Sequence, residues 1–144
     1  MTMQKVQIEA IVFPTEDIKK VKEALANIFS TKNFIEEEIN GKKRISVETT
    51  NLKTVLSKLH KQFRSQKILD TAREMMIKYR SGNEIVLQIN KQAALMGIIS
   101  FTEGETPLGP IIVKITASDP DHVIDWLAPK TKNGKPLYEI DLKE

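Results

Sequence analysis

The sequence predicts a single α+β domain, with a mixed, mainly antiparallel sheet and helices packed on one face. Three observations carry this. Stretches with period-two alternation interleave with stretches at helical spacing. One pair of strand-like stretches flanks Asn40-Gly41, a hairpin signal. No linker, repeat or low-complexity segment divides the 144 residues, a usual length for one domain. The predicted order is β-α-β-β-α-α-β-β-β-α.

Lys5–Phe13 alternates Val6, Ile8, Ala10 and Val12 with polar residues, as a half-buried strand does, and Pro14 ends it. Thr15 is the expected cap of a helix over residues 16–29, whose inner face carries Ile18, Val21, Ala24, Leu25, Ile28 and Phe29. Asn33–Ile39 and Lys43–Thr49 form the Asn40-Gly41 hairpin, since these two residues suit the positive φ angles of a type I′ turn. Thr50 or Asn51 caps the next helix, which carries Leu52, Val55, Leu56, Leu59 and Phe63. The apolar pattern breaks at Arg64-Ser65-Gln66 and resumes from Ile68 to Tyr79, so two consecutive helices or one bent helix are expected, stopped by Gly82.

Glu84–Ile89 reads as a strand, Asn90–Leu95 as a tight or short helical turn, and Gly97–Thr102 and Ile111–Thr116 as two more strands joined by a Gly/Pro-rich loop. Ser118 is the expected cap of a last helix, with Pro120 in its first turn and Val123, Ile124 and Leu127 facing inward. Pro129 terminates it, and Leu137–Leu142 is a candidate edge strand.

Composition removes several function classes. There is no cysteine, so disulfides, thiol catalysis and thiolate metal sites are out. The polar, alternating N-terminus is no signal peptide, no apolar run approaches the ~18 residues of a membrane span, and a cytoplasmic location is expected. Gly104 to Gly109 has the glycine spacing of a phosphate loop, but Pro110-Ile111 follows where Lys-Ser/Thr is needed, so a hairpin turn explains it. His60 and His122 stand alone, Glu36-Glu37-Glu38 splays across a strand, and Asp119, Asp121 and Asp125 suit the positive end of the last helix better than a magnesium ion. No catalytic residue, metal or cofactor is predicted.

The net charge is only +3, but it is unevenly spread. Residues 53–91 carry nine basic side chains against Asp70, Glu74 and Glu84. Residues 92–129 carry Lys114 against Glu103, Glu105, Asp119, Asp121 and Asp125, and Lys130, Lys132 and Lys135 follow. A basic face of this kind attracts a polyanion whatever the net charge. Two polar clusters stand out: Arg64-Ser65-Gln66-Lys67, and Asn90-Lys91-Gln92 after a strand. Their side chains are the types that hold phosphates and base edges, although Gln66 and Asn90 also suit helix caps. Aromatics are few, which argues against a stacking platform for single strands.

These clusters lie in segments that resemble a known family. The segments are Val12-Phe13-Pro14-Thr15-Glu16-Asp17, Phe63 to Arg73, Asn90 to Ala94 with Gly97, Leu108-Gly109-Pro110-Ile111, and Trp126 to Gly134. They resemble an archaeal family of uncharacterised proteins predicted to bind RNA, with a fold similar to the large-subunit ribosomal protein that binds five-S ribosomal RNA. The resemblance spans nearly the whole chain and implies RNA as the partner. It brings no catalytic residue with it.

The sequence therefore reads as a non-enzymatic protein that binds structured RNA. Arg64, Gln66, Lys67, Arg73, Asn90, Lys91, Lys130 and Lys132 are the candidate contacts, with Arg64 and Lys91 expected to converge at the centre. A protein-interaction module would follow if the basic face broke up in space. A small-molecule enzyme would follow if one pocket gathered Asp70, Arg73, Asn90 and Lys91. No sequence feature specifies an oligomeric state.

Overall fold

Strand β1 (Gln4–Val12) sends Val6, Ile8, Ala10 and Val12 inward, and leaves Lys5, Gln7, Glu9 and Ile11 half-exposed on the other side. In the computed structural model, which describes residues 4–31, 33–104 and 106–142, this strand is the centre of a six-stranded sheet. Its neighbours are β3 (Lys42–Thr49) and β6 (Ile111–Ala117). Strand β2 (Ile35–Ile39) lies outside β3, and β5 (Glu84–Ile89) followed by β4 (Arg80–Ser81) outside β6. Every neighbouring pair is antiparallel. Val47, Ile8, Val113 and Leu87 form one buried row across four strands, because the register aligns their inward positions. Glu105, within the Gly104–Gly109 loop, and Met1 to Met3 of the polar N-terminus lie outside the described residues.

Helices cover the inward face. Helix α1 (Ile18–Ile28) buries Val21, Ala24, Leu25 and Ile28. Asp17 caps it through Oδ1, which accepts the Lys19 amide at 2.9 Å, in place of Thr15. A turn closed by the Glu16 amide on the Phe13 carbonyl (2.9 Å) delays the helix start. The other face carries cross-strand ion pairs, Lys5–Glu48 at 3.2 Å and Lys114–Glu84 at 3.4 Å, which balance charge there and add little stability.

Asn40 and Gly41 take φ of 49° and 79°, so the β2–β3 hairpin turns as its sequence requires. After it come α2 (Leu52–Val55), α3 (Ser57–Ser65) and α4 (Leu69–Lys78). Asn51 occupies the cap position of α2 without a side-chain hydrogen bond. The interruption between α3 and α4 is a left-handed termination at Lys67 (φ 58°), where the Ile68 amide closes on the Phe63 carbonyl at 3.0 Å. Glycine usually fills this position, so a lysine here is no local signal of the turn. Helix α4 ends at Tyr79, and Gly82 instead turns β4 into β5.

Helix α5 (Lys91–Leu95) follows β5. The expected strand Gly97–Thr102 does not form; only Phe101 bridges Ile89. Residues 100–102 meet the β5 edge opposite β6 through two backbone bonds, Asn90 N–H to the Ser100 carbonyl (2.8 Å) and Thr102 N–H to the Gln88 carbonyl (2.9 Å), and the Ile99 backbone is occupied by a side chain described below. Helix α6 (Pro120–Leu127) is capped by Asp119, which accepts the His122 amide at 3.2 Å, and not by the exposed Ser118. A second Asn-Gly turn, at Asn133 and Gly134, joins β7 (Thr131–Lys132) to β8 (Lys135–Pro136). The expected edge strand Leu137–Leu142 is absent; the segment crosses the domain side and buries Leu142.

Candidate nucleic-acid interface

Arg64 projects from the last turn of α3 and is 20% exposed, with all five of its N–H donors engaged. Nε and Nη2 grip the two Glu139 oxygens at 2.9 and 2.6 Å. Nη2 also donates to the Trp126 carbonyl at 3.2 Å, and Nη1 to the carbonyls of His60 (2.7 Å) and Leu127 (3.1 Å). An α-helix leaves its last carbonyls unpaired, and Arg64 satisfies two at the end of α6. The hydrogen bond from Arg64 holds the Glu139 carboxyl below its ordinary range.

Gln66 serves the same junction. Its Oε1 accepts the Ile99 amide at 2.7 Å and its Nε2 donates to the Ile99 carbonyl at 3.1 Å. The amide group thus stands where a neighbouring strand would. Gln62 adds a bond to Gln66 at 2.7 Å and to the Gly97 carbonyl at 3.0 Å. Asn90 caps α5, its Oδ1 accepting the Ala93 amide at 2.8 Å.

Lys91 is 5% exposed, the buried charged residue of the described core. Its Nζ donates to the Ile11 carbonyl at 2.7 Å and to Glu16 Oε1 at 2.8 Å, and lies 5.5 Å from the centre of the Phe13 ring. Glu16 is itself mostly buried, so the pair is a desolvated ion pair that locks the end of β1 to α5. Arg64 and Lys91 share no partner: one holds the end of α6 and the tail, the other the end of β1.

Arg73 is tied to Asp125 at 2.8 Å and to the Ala128 carbonyl at 3.1 Å, both through Nη1. It borders a cavity of about 400 Å³ between α4 and α6, whereas Lys91 borders a different one. Asp70 accepts the Thr131 hydroxyl, which pins the β7–β8 hairpin to the start of α4.

The basic and acidic blocks of the sequence neutralise each other in space. Lys78 meets Glu103 at 2.6 Å, Arg80 meets Asp121, and Arg73 meets Asp125. Lys53 pairs with Asp141 at 2.6 Å, and Lys58 donates to the Ala26 carbonyl at 2.8 Å. The basic face expected over residues 53–91 therefore breaks up. Lys61 and Lys67 remain exposed without an ion pair among the described residues, as do Lys130, Lys132 and Lys135. Lys135 was missed among the candidate contacts, although Lys132-Asn133-Gly134-Lys135 carries the same turn signal as the first hairpin. The acids Asp119, Asp121 and Asp125 each serve a different partner: a helix cap, Arg80 and Arg73.

A family described as "RNA binding" matches residues 5–117, a span that ends with β6 and precedes the β7–β8 hairpin. A UPF0201 protein of Thermococcus kodakarensis is 44% identical over 134 residues, covering 93% of this chain and 96% of the relative. One from Sulfurisphaera tokodaii is 45% identical over 139 residues, covering 95% of each. The crystal structure of a UPF0201 protein from Methanococcus jannaschii superposes with a TM-score of 0.81 at 36% identity, over 93% of this chain and 99% of that one.

Proposed function

The chain belongs to the UPF0201 family, and from that premise we propose that it binds structured RNA, without catalysis, through exposed lysines and not through the polar clusters at the helix junctions. Lys130, Lys132 and Lys135 on the β7–β8 hairpin, joined by Lys67 beside the start of α4, form the contact surface. The observation that carries this reading is that these four cations are exposed and free of ion pairs among the described residues, three of them on a hairpin turned by Asn133-Gly134 and pinned to Asp70. The family description supports the choice of polyanion. Arg64, Gln66, Arg73, Asn90 and Lys91 hold the scaffold that presents the lysines. In this reading the scaffold serves RNA as a ribosomal-protein-like fold would.

Lysine–phosphate contacts release counterions, so log affinity falls linearly with log salt. Four such contacts give a slope of about −3 to −4. Anisotropy titrations with a structured RNA across a salt series test this; a slope near zero, or no binding at low salt, overturns it.

A second reading, a protein-interaction module, is favoured by the mutual neutralisation of the basic and acidic blocks and by exposed Met96 (76%) and Ile98 (50%) beside α5. It expects a concentration-dependent complex that is indifferent to RNA and weakened by Met96→Asp.

A further inference from the structure

The cavity between α4 and α6 has no task in the scaffold. Its volume, about 400 Å³, lies within the range of small-ligand sites. Ile77 and Ile124 give it apolar walls, while Asp125, Tyr138, Arg73 and Lys130 bring polar groups to it. Asp125 uses only one oxygen internally: Oδ1 accepts from Arg73 Nη1 and from the Tyr138 hydroxyl, each at 2.8 Å. Its Oδ2 has no hydrogen-bond partner among the described residues. Among the described residues Arg73 likewise engages only Nη1, leaving Nε and Nη2. Lys130 stands on the cavity and begins the lysine hairpin.

We propose that this cavity receives one unpaired guanine of the bound RNA. The proposal rests on the RNA-binding reading above and deepens it. A phosphate finds no net positive charge in the cavity, because Arg73 and Lys130 are balanced there by Asp121 and Asp125. A planar base with apolar faces suits it. The Watson–Crick edge of guanine presents two adjacent N–H donors beside a carbonyl acceptor. The donors match the free Asp125 oxygen and the acceptor capacity that the Tyr138 hydroxyl keeps beside the Lys130 amide, which donates to it at 3.3 Å, and the carbonyl matches the unused Arg73 donors. Uracil offers a single ring N–H between two carbonyls, so one carbonyl would take the Arg73 donors while the other would meet an acceptor where guanine places its exocyclic amine. Reading such an edge requires a base outside a duplex, as in the loops and bulges that proteins read in RNA. Lys130, Lys132 and Lys135 would then hold the flanking phosphates.

The test uses three RNA hairpins that differ only in one loop nucleotide: guanosine, inosine (which lacks the exocyclic amine) or uridine. The intact protein should bind the guanosine hairpin about tenfold or more tighter than the uridine one, with inosine between. Ile77→Trp, at a position 55% exposed and so tolerant of substitution, should fill the cavity and abolish the difference without changing the salt slope. Equal affinity for all three hairpins with a normal salt slope overturns the guanine site and leaves RNA binding standing. Retention of the preference in Ile77→Trp also overturns it. No binding to any of the three overturns both readings.

Discussion

Arg64 and Glu139, 75 residues apart in the chain, form a two-pronged ion pair of 2.6 and 2.9 Å that fastens the C-terminal segment to the junction of α3 and α6. A planar guanidinium matched to a carboxylate in this way is a directional tie that lysine would not reproduce. The tie also sets the surroundings of His60, which lies 4.9 Å from Trp126, ring centre to ring centre.

Truncation of Arg64 should therefore cost stability and not RNA affinity. Arg64→Ala strands carbonyls at the end of α6 and should lower unfolding free energy by about 1–3 kcal/mol. Arg64→Lys should recover only part of that loss. Urea melts and RNA titrations of both variants check this, and a variant of wild-type stability with weakened RNA binding would return Arg64 to the interface.

Lys91 and Glu16 should behave as a coupled buried pair. Removing one partner leaves an uncompensated charge in the interior, so Lys91→Met alone should cost about 3–5 kcal/mol. The double change Lys91→Met with Glu16→Gln should cost less than the sum of the single changes. Strict additivity in the double-mutant cycle would show that the two charges do not depend on one another.

Stability should fall on mild acidification. Burial, and next the charge of Arg64, holds the His60 imidazole below its ordinary value of 6.5, against the opposing pull of Glu139. The folded state thus takes up the proton less readily than the unfolded chain. Its contribution is intact above 6.5 and is lost as pH falls through that value toward the lower folded one. Glu139 is lowered from 4.5, so its contribution is present above 4.5 and is lost only on further acidification. Melting temperature should drop between these two values in the wild type and stay flatter in His60→Gln. Parallel pH profiles for the two proteins would remove His60 from this role.

Much of the fold could be read from the sequence because its signals are local. Alternation placed β1, the apolar stretches after it placed β5 and β6, each to within about a residue, and Asn40-Gly41 placed the first hairpin. The misreadings arose where a distant group replaced a local rule. The Gln66 amide takes the backbone bonds of Ile99 and prevents a strand there. Lys67 adopts the backbone usually left to glycine. The candidate site was harder to read for the same reason. A run of basic residues in sequence does not reveal that Asp121 and Asp125, more than forty residues on, will neutralise Arg80 and Arg73. Lys132 and Lys135 flank a two-residue turn and stay exposed, while Lys130 borders the cavity near Asp125 without an ion pair among the described residues.

The most direct test of the account compares the salt dependence of RNA affinity in the wild type, in a Lys130→Gln, Lys132→Gln, Lys135→Gln triple variant, and in Arg64→Ala. The triple variant should melt like the wild type, bind RNA more weakly, and lose about two to three units of slope in log affinity against log salt, by the 0.7–0.9 per contact expected for counterion release. Arg64→Ala should melt lower and keep the wild-type slope in buffers where it is folded. A triple variant with an unchanged slope, or a slope that collapses in folded Arg64→Ala, would contradict the assignment of RNA contact to the lysine hairpin.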